Sequence, residues 1–154
     1  MIEFNLVLKL KVHQHCISII EDKINTIQKE YRLYQDSAAN ETKSSAGDKH
    51  DTGKAMMQME QEKLGIQFKE LVNSKKILGS INPSIKSEKI QFGSFVKTDT
   101  SWFYISISLG KILIDAKEIF ILSSQTPLSK LMLNKANDDS FSFNGNNYTV
   151  TEVC

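Results

Sequence analysis

The chain has 154 residues but only two prolines, two cysteines, seven glycines and one tryptophan, and its net charge is +1. Each scarcity excludes something. Cys16 and Cys154 stand near opposite ends with no CxxC and no Cys/His spacing that would hold zinc, so neither a disulfide framework nor a zinc fold is expected, and a reducing cytoplasm is the expected setting. Nineteen basic residues against eighteen acidic ones leave no broadly basic surface for bulk nucleic-acid binding, so any such contact has to be local. The stretch Leu6 to Val12 is broken by Lys9 and Lys11 and lacks a small-residue cleavage site, and no apolar run approaches the ~20 residues that span a bilayer. A soluble, unexported protein with no membrane partner is expected.

The prolines are Pro83 and Pro127, so the first 82 residues carry none and are rich in Glu, Lys, Gln, Met and Leu, a helix composition. Cys16, Ile20, Ile24 (or Lys23), Ile27, Tyr31 and Tyr34 recur at spacings of three and four, with Glu21, Asp22, Lys29, Glu30 and Arg32 between them. A second stripe runs through Met57, Gln61, Leu64, Phe68, Leu71, Lys75 and Leu78. Between the stripes, residues 38–50 lack periodicity and are dense in turn formers, which predicts an antiparallel two-helix hairpin with a tip loop there. Arms of ~25 residues would be ~35–40 Å long. Phe4, Leu6, Leu8, Leu10 and Val12 alternate as in a strand, whereas Leu6, Leu10, His13 and Ile17 suit a helix; continuity with the first stripe selects helix.

Past Gly79 the pattern changes. Ile90-Gln91-Phe92, Trp102 to Ile107, Lys111 to Ile114 and Glu118 to Leu122 read as short antiparallel strands broken by Gly93, Asp99, Gly110 and Asp115. Thr126 can cap a brief helix with Pro127 at its first position, ending near Asn134. Phe141-Ser142-Phe143 and Tyr148-Thr149-Val150 then flank Asn144-Gly145-Asn146-Asn147 as a hairpin. The expected fold is α+β, with a coiled-coil finger over 1–80, a linker over 81–89 and a small β domain with one short helix over 90–154.

Two local motifs resemble the Gre family of transcription elongation factors, which stimulate transcript cleavage. Thr126-Pro127-Leu128-Ser129-Lys130-Leu131-Met132-Leu133-Asn134-Lys135-Ala136-Asn137-Asp138-Asp139 is similar to the family's Ser-Pro-(Ile/Leu)-x-(Arg/Lys)-x-(Leu/Met)-(Leu/Ile)-Gly-Lys-x-x-(Gly/Asp)-Asp. Gly47-Asp48-Lys49-His50-Asp51 resembles the tip motif Gly-Asp-x-x-Glu, with Asp51 where the family has Glu. The resemblance implies an FKBP-like antiparallel C-terminal domain. It also implies a cytoplasmic monomer that binds bacterial RNA polymerase, inserts its coiled coil into the secondary channel and stimulates cleavage of backtracked transcripts. Such a chain is an accessory factor rather than an enzyme and holds no cofactor alone.

On that reading Asp48 and Asp51 assist the polymerase by sharing a Mg²⁺ in the complex, because two-metal phosphoryl chemistry needs a second, loosely held ion bound by hard oxygens. Lys43, Lys49 and Lys54 would contact the nascent RNA 3′ end, and Pro127, Leu128 and Lys130 would bind polymerase. Plainer readings stand beside these. Asp at a helix start is a common cap, and exposed lysine is ordinary. Gly47 to Lys54 is no phosphate loop, since five residues separate the glycines and Ala55 replaces the required hydroxyl. His13-Gln14-His15-Cys16 is a surface and seam segment, not a metal cluster. A secondary-channel regulator without cleavage activity, and a non-transcriptional FKBP-like peptide-binding module, are the alternative functions.

Overall fold

A computed structural model describes residues 3–42 and 49–154, leaving aside the side chains of 38–42 and 49–52. Helix α1 spans Leu6–Thr42 and α2 spans Lys49–Gly79. Strands β1 (Phe95–Thr98), β2 (Trp102–Ser106), β3 (Gly110–Ile114) and β4 (Lys117–Ser123) follow, then the short helix α3 (Pro127–Met132) and strands β5 (Ser140–Phe143) and β6 (Asn146–Val153). The chain divides into two compact units, one of Met1–Ile17 with Lys76–Cys154 and one of Ser18–Lys75. The division cuts both long helices, whereas the sequence reading set it at residues 81–89.

The Ser18–Lys75 unit is an antiparallel helical pair. Glu21 meets Lys75 at 3.5 Å, while farther along α1 the residues Ile27 and Tyr31 share a groove with Leu64 and Phe68. The apolar seam is the one the spacing foretold: Ile20 and Leu64 are buried, and Ile24, Ile27, Met57, Gln61, Phe68 and Leu71 are half-buried. Two helices alone cannot enclose a seam, so most of its members keep one side in water. The helices also run farther than expected. Residues 38–42 and 49–50, assigned to the tip loop, are helical. The reason is composition, since Ala38, Ala39 and Glu41 favour helix and no Pro or Gly interrupts before Gly47.

In the other unit the six strands form one sheet in the order β3-β4-β2-β1-β6-β5. Four of the pairings are antiparallel, but β2 and β4 run parallel, with Trp102 beside Ile119 and Tyr104 beside Ile121. After β2 the chain passes to the sheet edge as β3. It turns at Asp115 and Ala116, both left-handed at φ 49° and 67°, and returns as β4 between β3 and β2. Burial explains that order. Ile119 and Ile121 of β4 are almost fully enclosed, whereas β3 exposes Lys111 and Leu113 and so suits an edge.

The period-2 alternation of the strands gives the sheet two apolar faces. Val96, Phe103 and Ile105 point to one face and pack with Ile90, Met132 of α3, Phe141 and Val150. Phe95, Trp102, Tyr104, Ile119 and Ile121 point to the other. That second face is covered by the beginning of the chain. Phe4 stacks on Phe95 with ring centroids 4.5 Å apart and meets Trp102 edge-on at 5.3 Å. Asn5 caps α1 by accepting from the Leu8 N–H, and Leu8, Lys9, Val12, His13 and Cys16 of its first turns are all buried. Helix, not strand, is therefore the state of residues 6–12. A piece starting at Ser87 would lack the cover that residues 4–16 give the Tyr104 face.

Ile90-Gln91-Phe92 is not a strand. Ile90 is fully buried, but its backbone pairs with Asn134 and Lys135, and Gly93 then turns the chain at φ 89°. A β-carbon at Gly93 would stand 3.3 Å from the Ile81 side chain as well as in a strained conformation. The strand begins only afterwards, at Phe95, a four-residue element that the sequence reading missed. The last hairpin matches expectation, turning on left-handed Asn144 and Gly145.

Gly65 lies inside α2 with ordinary helical geometry, and a β-carbon there would meet nothing within 4 Å. Gly65→Ala is therefore expected to stabilise the protein by about 0.5–1 kcal/mol. Chemical denaturation checks this; a loss of stability would contradict the open geometry.

Candidate functional site

The acidic motif falls where α2 begins. Asp51 is the third residue of that helix and Lys49 the first, so Asp51 belongs to the turn whose free N–H groups make a helix start electropositive. Asp48 precedes the helix in sequence; it and Lys43 lie outside the described residues. The side chains of Lys49 and Asp51 are not described either, and Lys54, one turn on, is exposed. Among the described residues no cluster of His, Cys, Asp or Glu could hold a metal ion. Of the two expected Mg²⁺ ligands, Asp51 lies within α2 and Asp48 is known from sequence alone.

The second motif is resolved in full, and most of it is architecture. The Thr126 hydroxyl accepts from the Ser129 N–H at 3.1 Å and caps α3, with Pro127 at the first helical position where its missing N–H costs nothing. Met132 is fully buried and Leu128 packs beside it on the apolar cluster. Asn134 is left-handed at φ 68°, and its N–H donates to the Ile90 carbonyl at 2.8 Å. The Asp139 carboxylate accepts from the Ala136 N–H, and the Asp139 carbonyl accepts from the Val150 N–H. Within α3 the outward residues are Pro127, Lys130 and Leu131, and Asn134, Asn137, Asp138 and Asp139 are exposed beyond it. Of the three residues read as polymerase-binding, Pro127 and Lys130 are exposed, whereas Leu128 is partly committed to the core. Leu131, missed in the sequence, is exposed beside Lys130. Spacing alone does not separate the two leucines, because positions three apart share a helix face; the packing of Leu128 and Met132 on the sheet decides it.

A further group of polar and thiol side chains is buried under the first turns of α1. Lys9 is 2% exposed, and its ammonium donates to the Ile85 carbonyl at 2.7 Å and to the Cys154 carbonyl at 3.1 Å. Burial pushes its pKa down, and nearby Cys154 offsets part of that effect. His13 Nδ1 lies 2.7 Å from the Tyr104 hydroxyl. Burial, and secondarily the Lys9 charge one turn earlier, hold His13 below the ordinary histidine value. The Cys16 thiol is pushed up to about 12 by burial, and Tyr104 is raised by burial and by Cys16. A thiol with so high a pKa, closed off from solvent, is no nucleophile, and every polar head of Lys9, His13 and Tyr104 has a partner in the fold. The cluster fastens the fold and offers no open chemistry. Of the run His13-Gln14-His15-Cys16, only His13 and Cys16 face inward; Gln14 and His15 are exposed.

No family model matches the chain. No curated protein matches it. Among solved structures the chain is similar to one titled "Structure of the transcription factor Gfh1", at 15% identity over 90% of this chain and 92% of that one, with a TM-score of 0.37.

The lowered His13 value has a pH consequence. Above its ordinary value of about 6.5 the imidazole is neutral in both states and stability is full. As pH falls below that value the unfolded chain takes up the proton while the folded one resists, so stability drops by up to about 1.4 kcal/mol per pH unit until the native value is reached. The difference in unfolding midpoint between pH 7 and pH 5 should therefore shrink in His13→Gln, an exchange that removes the charge change but keeps a polar partner for Tyr104. An unchanged difference would contradict the assignment.

Proposed function

We propose that the chain is a Gre-type transcription factor that binds RNA polymerase, inserts its helical hairpin into the secondary channel and stimulates cleavage of backtracked transcripts, without being an enzyme itself. The observation that supports this reading is the antiparallel pair of long helices, Leu6–Thr42 and Lys49–Gly79, with the Asp48-x-x-Asp51 motif falling in sequence where the two arms meet. A narrow helical pair can enter a channel that a globular domain cannot. Two carboxylates beside the electropositive start of a helix are a donor set that suits Mg²⁺, which takes hard oxygens and keeps several waters. Bound there together with polymerase groups, the ion would steady the attacking and leaving oxygens of the scissile phosphate.

Asp48 and Asp51 hold the negative charge at that place, and Lys43, Lys49 and Lys54 supply positive charge for phosphates of the RNA 3′ segment. Pro127, Lys130 and Leu131 form the outward side of α3 that would meet the polymerase surface. The chain acts as a monomer in this reading, since the hairpin supplies both strands of its own seam. A secondary-channel regulator without cleavage activity is the second reading, and Asp51 favours it: the side chain is one methylene shorter than the Glu of the family motif and reaches less far.

Asp48→Asn and Asp51→Asn keep volume and capping ability but remove charge. Each is expected to lower cleavage stimulation on a backtracked elongation complex by about tenfold or more, with polymerase binding nearly unchanged and partial rescue by added Mg²⁺. Asp51→Glu should raise stimulation. Asn variants as active as the parent would exclude the metal role, and a parent chain that binds polymerase without any cleavage would select the regulator.

A further inference from the structure

The hairpin carries an open groove on one flank, between α1 and α2 and wholly within residues 18–75. Its volume is about 480 Å³, within the range of roughly 300–1,000 Å³ typical of sites that receive ligands. Ile27, Leu64 and Phe68 form its floor and Tyr31, 37% exposed, part of its wall. The charged side chains lining it are Arg32 and Lys69, one from each helix and both exposed, with no carboxylate in the lining.

Gly65 helps to open this groove. It lies beside Leu64 and one turn before Lys69, has no left-handed backbone to maintain, and would meet nothing within 4 Å if it bore a β-carbon. Neither the conformation nor the packing of this chain asks for glycine there, and glycine within a helix costs stability. Its physical effect is to thin one wall and leave the apolar floor accessible from outside.

We infer that this groove is a docking site for an acidic amphipathic helix of a partner protein. An apolar channel between two helices accepts a third helix that presents aliphatic side chains at spacings of three and four. Leucine-type anchors fill the floor over Ile27, Leu64 and Phe68. Carboxylates flanking those anchors pair with Arg32 and Lys69, and the absence of lining carboxylates makes the charge pattern complementary to an acidic segment and adverse to a basic one. Gly65 allows the incoming backbone to approach α2 closely, as small residues do wherever helices pack tightly. A single-stranded RNA is a poorer occupant, since two cations offer few phosphate contacts and Phe68 and Tyr31 are only two rings for stacking. The site lies on the flank of the hairpin, not at the turn that bears Asp48 and Asp51, and does not depend on the polymerase reading.

The test uses the full chain and a fluorescent synthetic helix of about four turns, with leucines at spacings of three and four and glutamates on its flanks. Fluorescence anisotropy should show saturable binding, weakened about tenfold or more when lysines replace the glutamates. Gly65→Leu should weaken it by a similar factor. Arg32→Glu combined with Lys69→Glu, two exposed changes that leave the seam intact, should invert the preference between the two peptides. The inference is overturned by no saturable binding, by equal binding of the two peptides, or by binding that neither variant alters. It is also overturned if an RNA oligonucleotide displaces the peptide at lower concentration, or if sedimentation shows the chain pairing with itself through the groove and Gly65→Leu abolishes that pairing.

Discussion

Tyr104, Phe95, Ile119 and Ile121 make one face of the central sheet almost wholly apolar, and the sheet cannot stand in water unless something covers it. The opposite face has its own cover in Met132, Phe141 and Val150. For the Tyr104 face the cover comes from residues 4–16, the far end of the chain, and much of the remaining design follows from that. Phe4 fills the space above Phe95 and Trp102, and the helix face bearing Leu8, Val12 and Cys16 completes the layer. The same face carries Lys9, whose ammonium would be costly to bury alone. Its hydrogen bonds to the carbonyls of Ile85 and Cys154 relieve that cost and fasten both the 80–94 segment and the end of β6 to α1. Exposed Lys11 adds a surface ion pair to Asp115 at 2.7 Å, worth little energy but consistent with the same alignment.

Much of this was legible as pattern. The hairpin seam could be read because its spacing of three and four belongs to the helices themselves, and Ile20 and Leu64 are buried where that spacing put them. Thr126-Pro127 and Asn144-Gly145 announced a capped helix and a turn through local chemistry that needs no tertiary context. The failures in the sheet are mostly long-range. Nothing in Trp102–Ser106 or Lys117–Ser123 says that they pair in parallel with β3 outside them, since strand order is decided by which strand can be buried on both faces. Phe95–Thr98 is too short to show a period. Residues 4–12 fitted two periods at once, and the face that includes Lys9 and His13 did not look apolar, because burial of those side chains depends on partners 76 to 145 residues away.

The candidate sites divide along the same line. The acidic motif was visible as residues in sequence, and its second carboxylate, Asp51, lies within α2. In the α3 motif, local chemistry identified the cap, but which leucine faced the core required the sheet: Leu128 turned inward and Leu131 outward. The flank groove could not be seen in sequence at all. A glycine in a helical pattern reads as a minor defect, and it gains meaning only when Arg32, Lys69 and the half-buried floor stand around it.

The dependence of the sheet on the start of α1 is the claim on which the fold account rests, and amide hydrogen exchange on a chain comprising residues 76–154 tests it most directly. Without residues 1–17, the amides of β1, β2 and β4 should lose most of the protection they have in the full chain, and a synthetic peptide of residues 1–17 should restore it. Protection equal to that of the full chain in the bare 76–154 segment would contradict the account.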